Sequence, residues 1–547
     1  MSAMFNFADL QGNILRGYRK PHVRYLILEV ADRSAARRWL AASISGRDHG
    51  VPQITTGNWG AAKPDTCFNI GLTYEGLRAL GTPSSSLEMF SNEFIEGMTA
   101  RALKLGDIGP SAPETWPSPF DEHRRIHLIA TIYAGNVRQL DEVQQRALDR
   151  NALTLLGTRE GYNFRDDFVH FGYRDNIMQP RFEGVHDPQG HADGQPRAPL
   201  GTVLLGHPTN LEGLKWRVPL PAELGHNGTF NAFRVLEQDV TGFEEYLDQA
   251  ASELLKHPQI DELLPPGAEA KIGQGLSRHG ALREVVAANL CGRWRDGTPL
   301  ALSPDEPNPK VDRAKFDYDR NSRCPYGSHI RRCNPRGGQI VQRVANNSRR
   351  LVRRGMPYGP FYDPTKPRDP SKPEPERGLL GNFIGASLGA QFEAMSCDWL
   401  NLSLQDPRIT GSNDPIVGAN HLNTGWFDLP LKSGTTIRLQ GLPQFVRTRG
   451  GAYTFLPSLS AIRFGIADDV SRPNRPRVFG GPCKASFAFG SKTVLATLKY
   501  DFRSTSGRPP AHQSRADRGK FPRMQISPGS ISAGLVLRRV RMRSRRR

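Results

Sequence analysis

The sequence predicts an α+β protein made of two ferredoxin-like split β-α-β units with antiparallel sheets, followed by a disordered basic tail. Three observations predict it. Short β-like runs alternate with amphipathic helical runs through most of the chain. The regular βα period and Gly-rich turn of a dinucleotide-binding fold are missing. The strand-and-helix theme also starts again after about residue 220.

In the first half, "YLILEV" (25–30) forms a buried strand and "SAARRWLAASI" (34–44) a short amphipathic helix. "CFNIGL" (67–72) is a second strand and leads into a helix at Tyr74–Leu80. "RIHLIATIYA" (125–134) is strongly β-like, and "LDEVQQRALDRNA" (140–152) is a helix with charged outer positions. In "FGYRDNIMQPRFEG" (171–184), an aromatic run that reads as a strand precedes Asp175; Pro180 and Gly184 then stop regular structure.

The second half repeats the scheme. "TFNAFRVLEQ" (229–238) is a strand, and "VTGFEEYLDQAASELL" (240–255) and "ALREVVAANLCGRW" (281–294) are helices. "GLLGNFIGAS" (378–387) is a strand and "GAQFEAMSCDWL" (389–400) a helix; "GAYTFLPSLSAIRFGI" (451–466) closes the globular part. The expected domains are 1–220, 221–502 and a tail at 503–547. The long Pro-rich connection "PYGPFYDPTKPRDPSKPEPE" (357–376) is the kind of loop that carries function or disorder.

Composition narrows the function classes. No apolar run approaches the length of a membrane span, and the N-terminus lacks a basic start followed by a long apolar core. Six scattered cysteines fit reduced thiols in a cytoplasm better than a disulfide scaffold. The net charge is +19, but residues 503–547 carry thirteen Lys/Arg against one Asp. The basic surplus therefore sits in a Ser-, Pro- and Gly-rich tail that suits RNA, anionic lipid or an acidic protein, or that is only a solvated extension.

The most informative stretch is "RCPYGSHIRRCNPRGG" (323–338). His329 stands between Cys324 and Cys333, and three readings of it compete. One is a zinc site, which lacks a nearby fourth ligand. Another is a histidine hydrogen-bonded in a loop. The third is an axial haem ligand with the following arginines on the propionates. "RRLVRRGMPYGP" (349–360) then places Arg353 and Arg354 before a Gly and a Pro. With Asp175 they complete the parts of a peroxide-cleaving site: an axial base, a carboxylate that can move a proton, and a permanent cation where the O–O bond polarises. His186 and Asp187 offer a second acid/base pair, with turn capping the commoner role. Trp216, Trp294, Trp399, Trp426, Tyr326 and Tyr358 offer routes for oxidising equivalents, with core packing the commoner role.

Several separated segments together resemble the longer-chain dye-decolorizing (DyP-type) haem peroxidases. They are "DLQGNILRGY" (9–18), "FGYRDNIMQP" (171–180), "TFNAFRVLEQDV" (229–240), "LCGRWRDGTPL" (290–300), "FDYDRNSRCPYGSHIRRCNPR" (316–336), "RRGMPYG" (353–359), "RGLLGNFIGASLGAQFE" (377–393) and "GGAYTFLPSL" (450–459). The resemblance implies two ferredoxin-like units around one non-covalent haem b, since no C-x-x-C-H occurs. It implies that His329 binds the iron, Asp175 is the distal acid/base and Arg353 the distal arginine. Arg336 would meet a propionate, and Glu393 would accept the proximal imidazole N–H. The expected reaction uses hydrogen peroxide to oxidise phenolic or dye-like donors through a ferryl intermediate.

The family's Gly-x-x-Asp-Gly motif has Asn176 in place of its last glycine here. Asn is the least costly substitute if that position needs positive φ, and its amide adds bulk beside the distal pocket. Arg174 is expected to face away, by strand alternation. Two other functions compete: a haem-handling protein with weak peroxidase activity, and an interaction protein that binds nucleic acid or anionic partners through its tail. An oligomer is compatible with either.

Overall fold

The computed structural model describes residues 6–466, apart from 48–49, 60–62, 186–196, 212, 319–323, 338–348 and 365–370. The basic tail, Cys483 and the His186–Asp187 pair lie outside the described residues. Met1–Pro473 group as one compact unit.

Its centre is a nine-stranded antiparallel sheet. Four strands come from the first half: β1 (His22–Val30), β2 (Cys67–Leu72), β3 (Leu128–Ala134) and β4 (Leu153–Tyr162). Five come from the second: β5 (Thr229–Gln238), β6 (Val352–Arg353), β7 (Met356–Tyr358), β8 (Gly378–Gly385) and β11 (Val446–Leu456). The order is β4-β1-β3-β2-β11-β5-β8-β6, with β7 also on β8. Counting β6 and β7, which both pair with β8, as one interrupted strand, each half repeats one order, with its last strand beside its first and its third beside its first on the other side. β9 (Trp426–Pro430) and β10 (Thr436–Gln440) form a separate hairpin.

The halves join where β11 meets β2, at Phe455 opposite Leu72. The sheet also curls. Tyr25 on β1 and Phe233 on β5 bring their rings to 4.6 Å, although three strands lie between the two in the order. At the outer edges, the Tyr162 hydroxyl donates to the Gly359 carbonyl at 3.0 Å. Continuous apolar runs explain why these segments pair: every residue of "CFNIGL" and of β3 is buried.

The longer helices start at side-chain caps. Asp32 caps Arg33–Ser43, Asn136 caps Val137–Ala147, Asp239 caps Val240–Leu254 and Ser277 caps Arg278–Cys291. The expected helix at 389–400 is instead two π-helical turns, Leu388–Glu393 and Met395–Asn401. The aromatic run before Asp175 is no strand. It is an irregular loop closed by a bridge between Phe168 and Arg174.

One buried ion pair ties the first half to the sheet of the second. Asp107 accepts from both terminal nitrogens of Arg234 on β5, at 2.8 and 2.5 Å, and from the Thr448 hydroxyl on β11 at 2.7 Å. Removing one partner leaves a charge stranded away from water. Asp107→Ala is therefore expected to cost roughly 3–5 kcal/mol in urea unfolding, and adding Arg234→Met should recover part of it.

Candidate active site

The second-half sheet presents one face to a cavity of about 430 Å³. Leu236 on β5, Leu379 and Phe383 on β8, and Val446 on β11 line that wall. His329, Asp175, Arg353 and Arg336 all line the same cavity. Segments up to 178 residues apart in sequence therefore meet there.

His329 opens the short helix His329–Cys333. The turn before it is fixed by the Ser328 hydroxyl, which donates to the Asn289 carbonyl at 2.6 Å. Gly292 ends the neighbouring helix at φ +91°, and a Cβ there would stand 2.7 Å from Ile330 Cγ1. Nδ1 of His329 lies 3.0 Å from Oδ2 of Asp414, a carboxylate with no solvent exposure. The other Asp414 oxygen accepts the Ile416 and Val417 N–H groups, each at 2.9 Å. Burial by itself raises the Asp414 pKa, but His329 and Arg332 bring it below the ordinary carboxylate value. Burial by itself lowers the His329 pKa, but Cys333 and Asp414 lift it well above the ordinary imidazole value. Cys333 Sγ is 3.9 Å from Nδ1 and 4.0 Å from Nε2.

Glu393 is not the partner of His329. Its fully buried carboxylate takes Arg101 at 3.0 and 2.8 Å and the Tyr453 hydroxyl at 3.0 Å. A π-helical turn carries it to the N-terminal half's arginine, and the imidazole N–H goes to Asp414. Arg331 and Arg332 are not cavity residues either. Arg331 lies over the Tyr326 ring at 4.1 Å, and Arg332 donates to Gly327, Ser403 and Ser412. Arg332 thereby braces the segment that presents Asp414. Arg336 lies 3.7 Å over the Phe316 ring and donates to the Ala314 and Phe316 carbonyls at 2.9 and 3.0 Å.

Across the cavity, Arg353 Nη1 lies 3.4 Å from Asp175 Oδ1, with the two side chains 46% and 45% exposed. Arg353 also donates to the Met178 carbonyl at 3.2 Å, and its own N–H donates to Gln179 Oε1 at 3.0 Å. Arg354 points elsewhere and donates to the Asn13 carbonyl at 2.7 Å. Asn176 sits at φ +56°, the left-handed backbone that explains Asn where Gly would serve. Its amide is exposed and donates to Asp167 Oδ1 at 3.0 Å, so it does not obstruct the cavity. Arg174, expected to face away, lines the cavity because its segment is a loop and strand alternation does not apply.

The zinc reading of His329 finds no support in the packing. Among the described residues no three His, Cys, Asp or Glu side chains converge as a metal site, and the five described cysteines are free thiols. No helix of the described residues is long and apolar enough to cross a membrane. Trp294, Trp399 and Tyr358 are buried in the core.

The chain is similar to known proteins over most of its length. Residues 9–154 match the family described as the DyP dimeric alpha+beta barrel domain. The chain is 28% identical over 484 residues to the multifunctional dye peroxidase DyP2 of an Amycolatopsis species, covering 83% of this chain and 95% of that protein. It is 27% identical over 500 residues to the dye-decolorizing peroxidase msp1 of Mycetinis scorodonius, covering 84% and 88%. Among solved structures, an ancestral D-type dye-decolorizing peroxidase superposes with a TM-score of 0.68 at 26% identity, covering 85% of this chain and all of that one. A dye-decolorizing peroxidase of Auricularia auricula-judae superposes at 0.66 and 24% identity, covering 84% and 99%. Over most of its length the chain is thus similar to dye-decolorizing peroxidases in sequence and in fold.

Proposed function

We propose that this protein is a haem peroxidase of the dye-decolorizing type, which holds haem b non-covalently and uses hydrogen peroxide to oxidise phenolic or dye-like donors. The single observation that carries the reading is the meeting of His329, Asp175 and Arg353 on one cavity. The residues fit the cofactor. The cavity is of ligand size and has leucine and phenylalanine on its sheet wall. Asp414 occupies Nδ1 of His329 and would thereby leave Nε2 to hold the iron. Arg336 supplies a cation for a propionate. Bound there, the haem would supply the iron that takes up the oxidising equivalents of peroxide.

The chain's own residues then do three things. Asp414 fixes the His329 ring and gives it anionic character. Asp175 accepts the proton from the near oxygen of peroxide and returns it to the far oxygen, which departs as water. Arg353 keeps a permanent positive charge beside that transfer and holds the Asp175 carboxylate in place. The haem-handling alternative rested on a cavity narrowed by Asn176, and that side chain turns to Asp167 instead. We place the protein in the cytoplasm on its sparse and unpaired described cysteines.

His329→Ala should abolish the Soret band of hemin-reconstituted protein; a band retained at full intensity would remove His329 as the ligand. Asp175→Ala and Arg353→Leu should keep the Soret band and lower peroxide-dependent dye oxidation by about 10²–10⁴-fold. Asp414→Asn should load haem but raise the ferric/ferrous potential in spectroelectrochemical titration, because the imidazole loses its anionic partner. Asn176→Gly should leave turnover unchanged, whereas Asn176→Val should lower stability by ~1–2 kcal/mol through its left-handed backbone.

A further inference from the structure

His170 has no part in the site described above, yet it is fixed to it. The loop that carries Asp175 closes on itself: the Asp175 N–H donates to the Asp167 carbonyl at 2.8 Å, and the Val169 N–H to the Tyr173 carbonyl at 2.9 Å. Two of its rings point into the helical core. Phe171 packs on Phe243 at 4.7 Å, and the Tyr173 hydroxyl donates to the Ala287 carbonyl at 2.7 Å. His170 points the other way. Its Nε2 lies 2.8 Å from the carbonyl of Tyr358, the last residue of β7 and five residues beyond Arg353.

We propose that His170 is a positioning residue: as a neutral imidazole it latches the Asp175 loop to the strands that follow Arg353, and its protonation releases that latch. The inference rests on the function proposed above.

The surroundings favour one protonation state. The carbonyl can only accept, so Nε2 carries the proton of the neutral ring. Nδ1 is buried with no hydrogen-bond partner, and His170 is 3% exposed. Phe164 stacks edge-on at 4.8 Å from the preceding turn. The charge that faces the ring is Arg377, on the segment leading into β8, which opposes an imidazolium. The nearby carboxylates are already engaged, Glu374 with Arg377 and Glu376 with the Tyr358 hydroxyl. Burial, only partly offset by the Tyr358 carbonyl and reinforced by Arg377, pushes the His170 pKa from 6.5 down to about 4. Once the loop opens, the ring regains its ordinary value. The latch is thus at full strength above pH 6.5 and weakens progressively as pH falls toward 4.

The test uses haem-loaded protein with Asp175→Ala as the reference. His170→Phe keeps the ring and removes the donor; His170→Gln keeps a donor that does not titrate. His170→Phe should keep the Soret band and lower the rate of reaction with peroxide at least tenfold at pH 7. His170→Gln should restore most of that rate and flatten the acid limb between pH 6 and pH 4. Wild-type rates and an unchanged acid limb in both variants, with Asp175→Ala impaired, would overturn the latch and leave the peroxidase reading standing. A wild-type rate in Asp175→Ala would instead overturn that reading. Should His170→Phe fail to fold, amide exchange on wild-type holoprotein decides. Protection at Gly172 and Asp175 should fall at least tenfold from pH 7 to pH 4.5 while β1 stays protected, and constant protection sinks the proposal.

Discussion

The hydrogen bond between His329 and Asp414 is the constraint on which the site depends. A carboxylate without solvent exposure is costly unless every lone pair has a use. Here two backbone N–H groups take one oxygen and the imidazole takes the other. Losing the imidazole would leave the carboxylate under-satisfied, and losing the carboxylate would let the ring turn. Among the described residues the neighbouring Arg332 has no carboxylate partner within hydrogen-bond reach; it donates to the Gly327 and Ser412 carbonyls and to the Ser403 and Ser412 hydroxyls, which joins the two segments that must stay together. The imidazole is thus fixed from behind before any cofactor is considered.

The sheet fixes what faces it. Arg353 is opposite Phe383 on β8, and β8 is paired along nearly its whole length with β5. Leu236, Leu379 and Phe383 on these strands share the cavity wall, so the guanidinium is set by the same ladder that shapes the wall. Asp175 has no such ladder. It comes from a loop of the connecting region and gains its place from Phe171, Tyr173, Gln179 and its contact with Arg353 itself. Two elements of different rigidity therefore meet in the Asp175–Arg353 pair.

Much of this was legible in the sequence, where burial is continuous. "CFNIGL" and "TFNAFRVLEQ" coincide with β2 and β5, because strands buried on both faces are dense in apolar and aromatic residues, with few polar positions between them. β4 escaped notice because it is an edge strand whose exposed Thr154, Leu155 and Glu160 break any alternation. The π-helical turns at 388–401 read as an ordinary helix, since the composition of "GAQFEAMSCDWL" carries no mark of the wider hydrogen-bond spacing. The site residues that sit in distinctive segments, His329, Asp175 and Arg353, could be named from those segments. Asp414 could not. In "GSNDPIVG" it looks like a turn aspartate, and one of its oxygens does cap the Ile416 and Val417 N–H groups. Only the tertiary fold brings the other oxygen to an imidazole 85 positions earlier. Glu393, which the resemblance implied as the acceptor of the imidazole N–H, instead pairs with Arg101, a cation 292 positions earlier that its own segment cannot reveal.

The two sides of the cavity differ in a way the proposed chemistry explains. Behind His329 the charges are wholly buried and every oxygen of the carboxylate is bound. Around Asp175 and Arg353 the side chains are about half exposed and their contact is long for an ion pair. In the proposed chemistry a residue that would hold the haem iron must not move, so a dry and fully satisfied setting suits it. A proton carrier must meet a small polar substrate that arrives hydrated and must then hand its proton on; a carboxylate locked in a short bidentate bridge would hold its charge too tightly to do either. The loose pairing of Asp175 and Arg353 is the arrangement a working acid/base needs, and the tight pairing of His329 and Asp414 is the one a ligand needs.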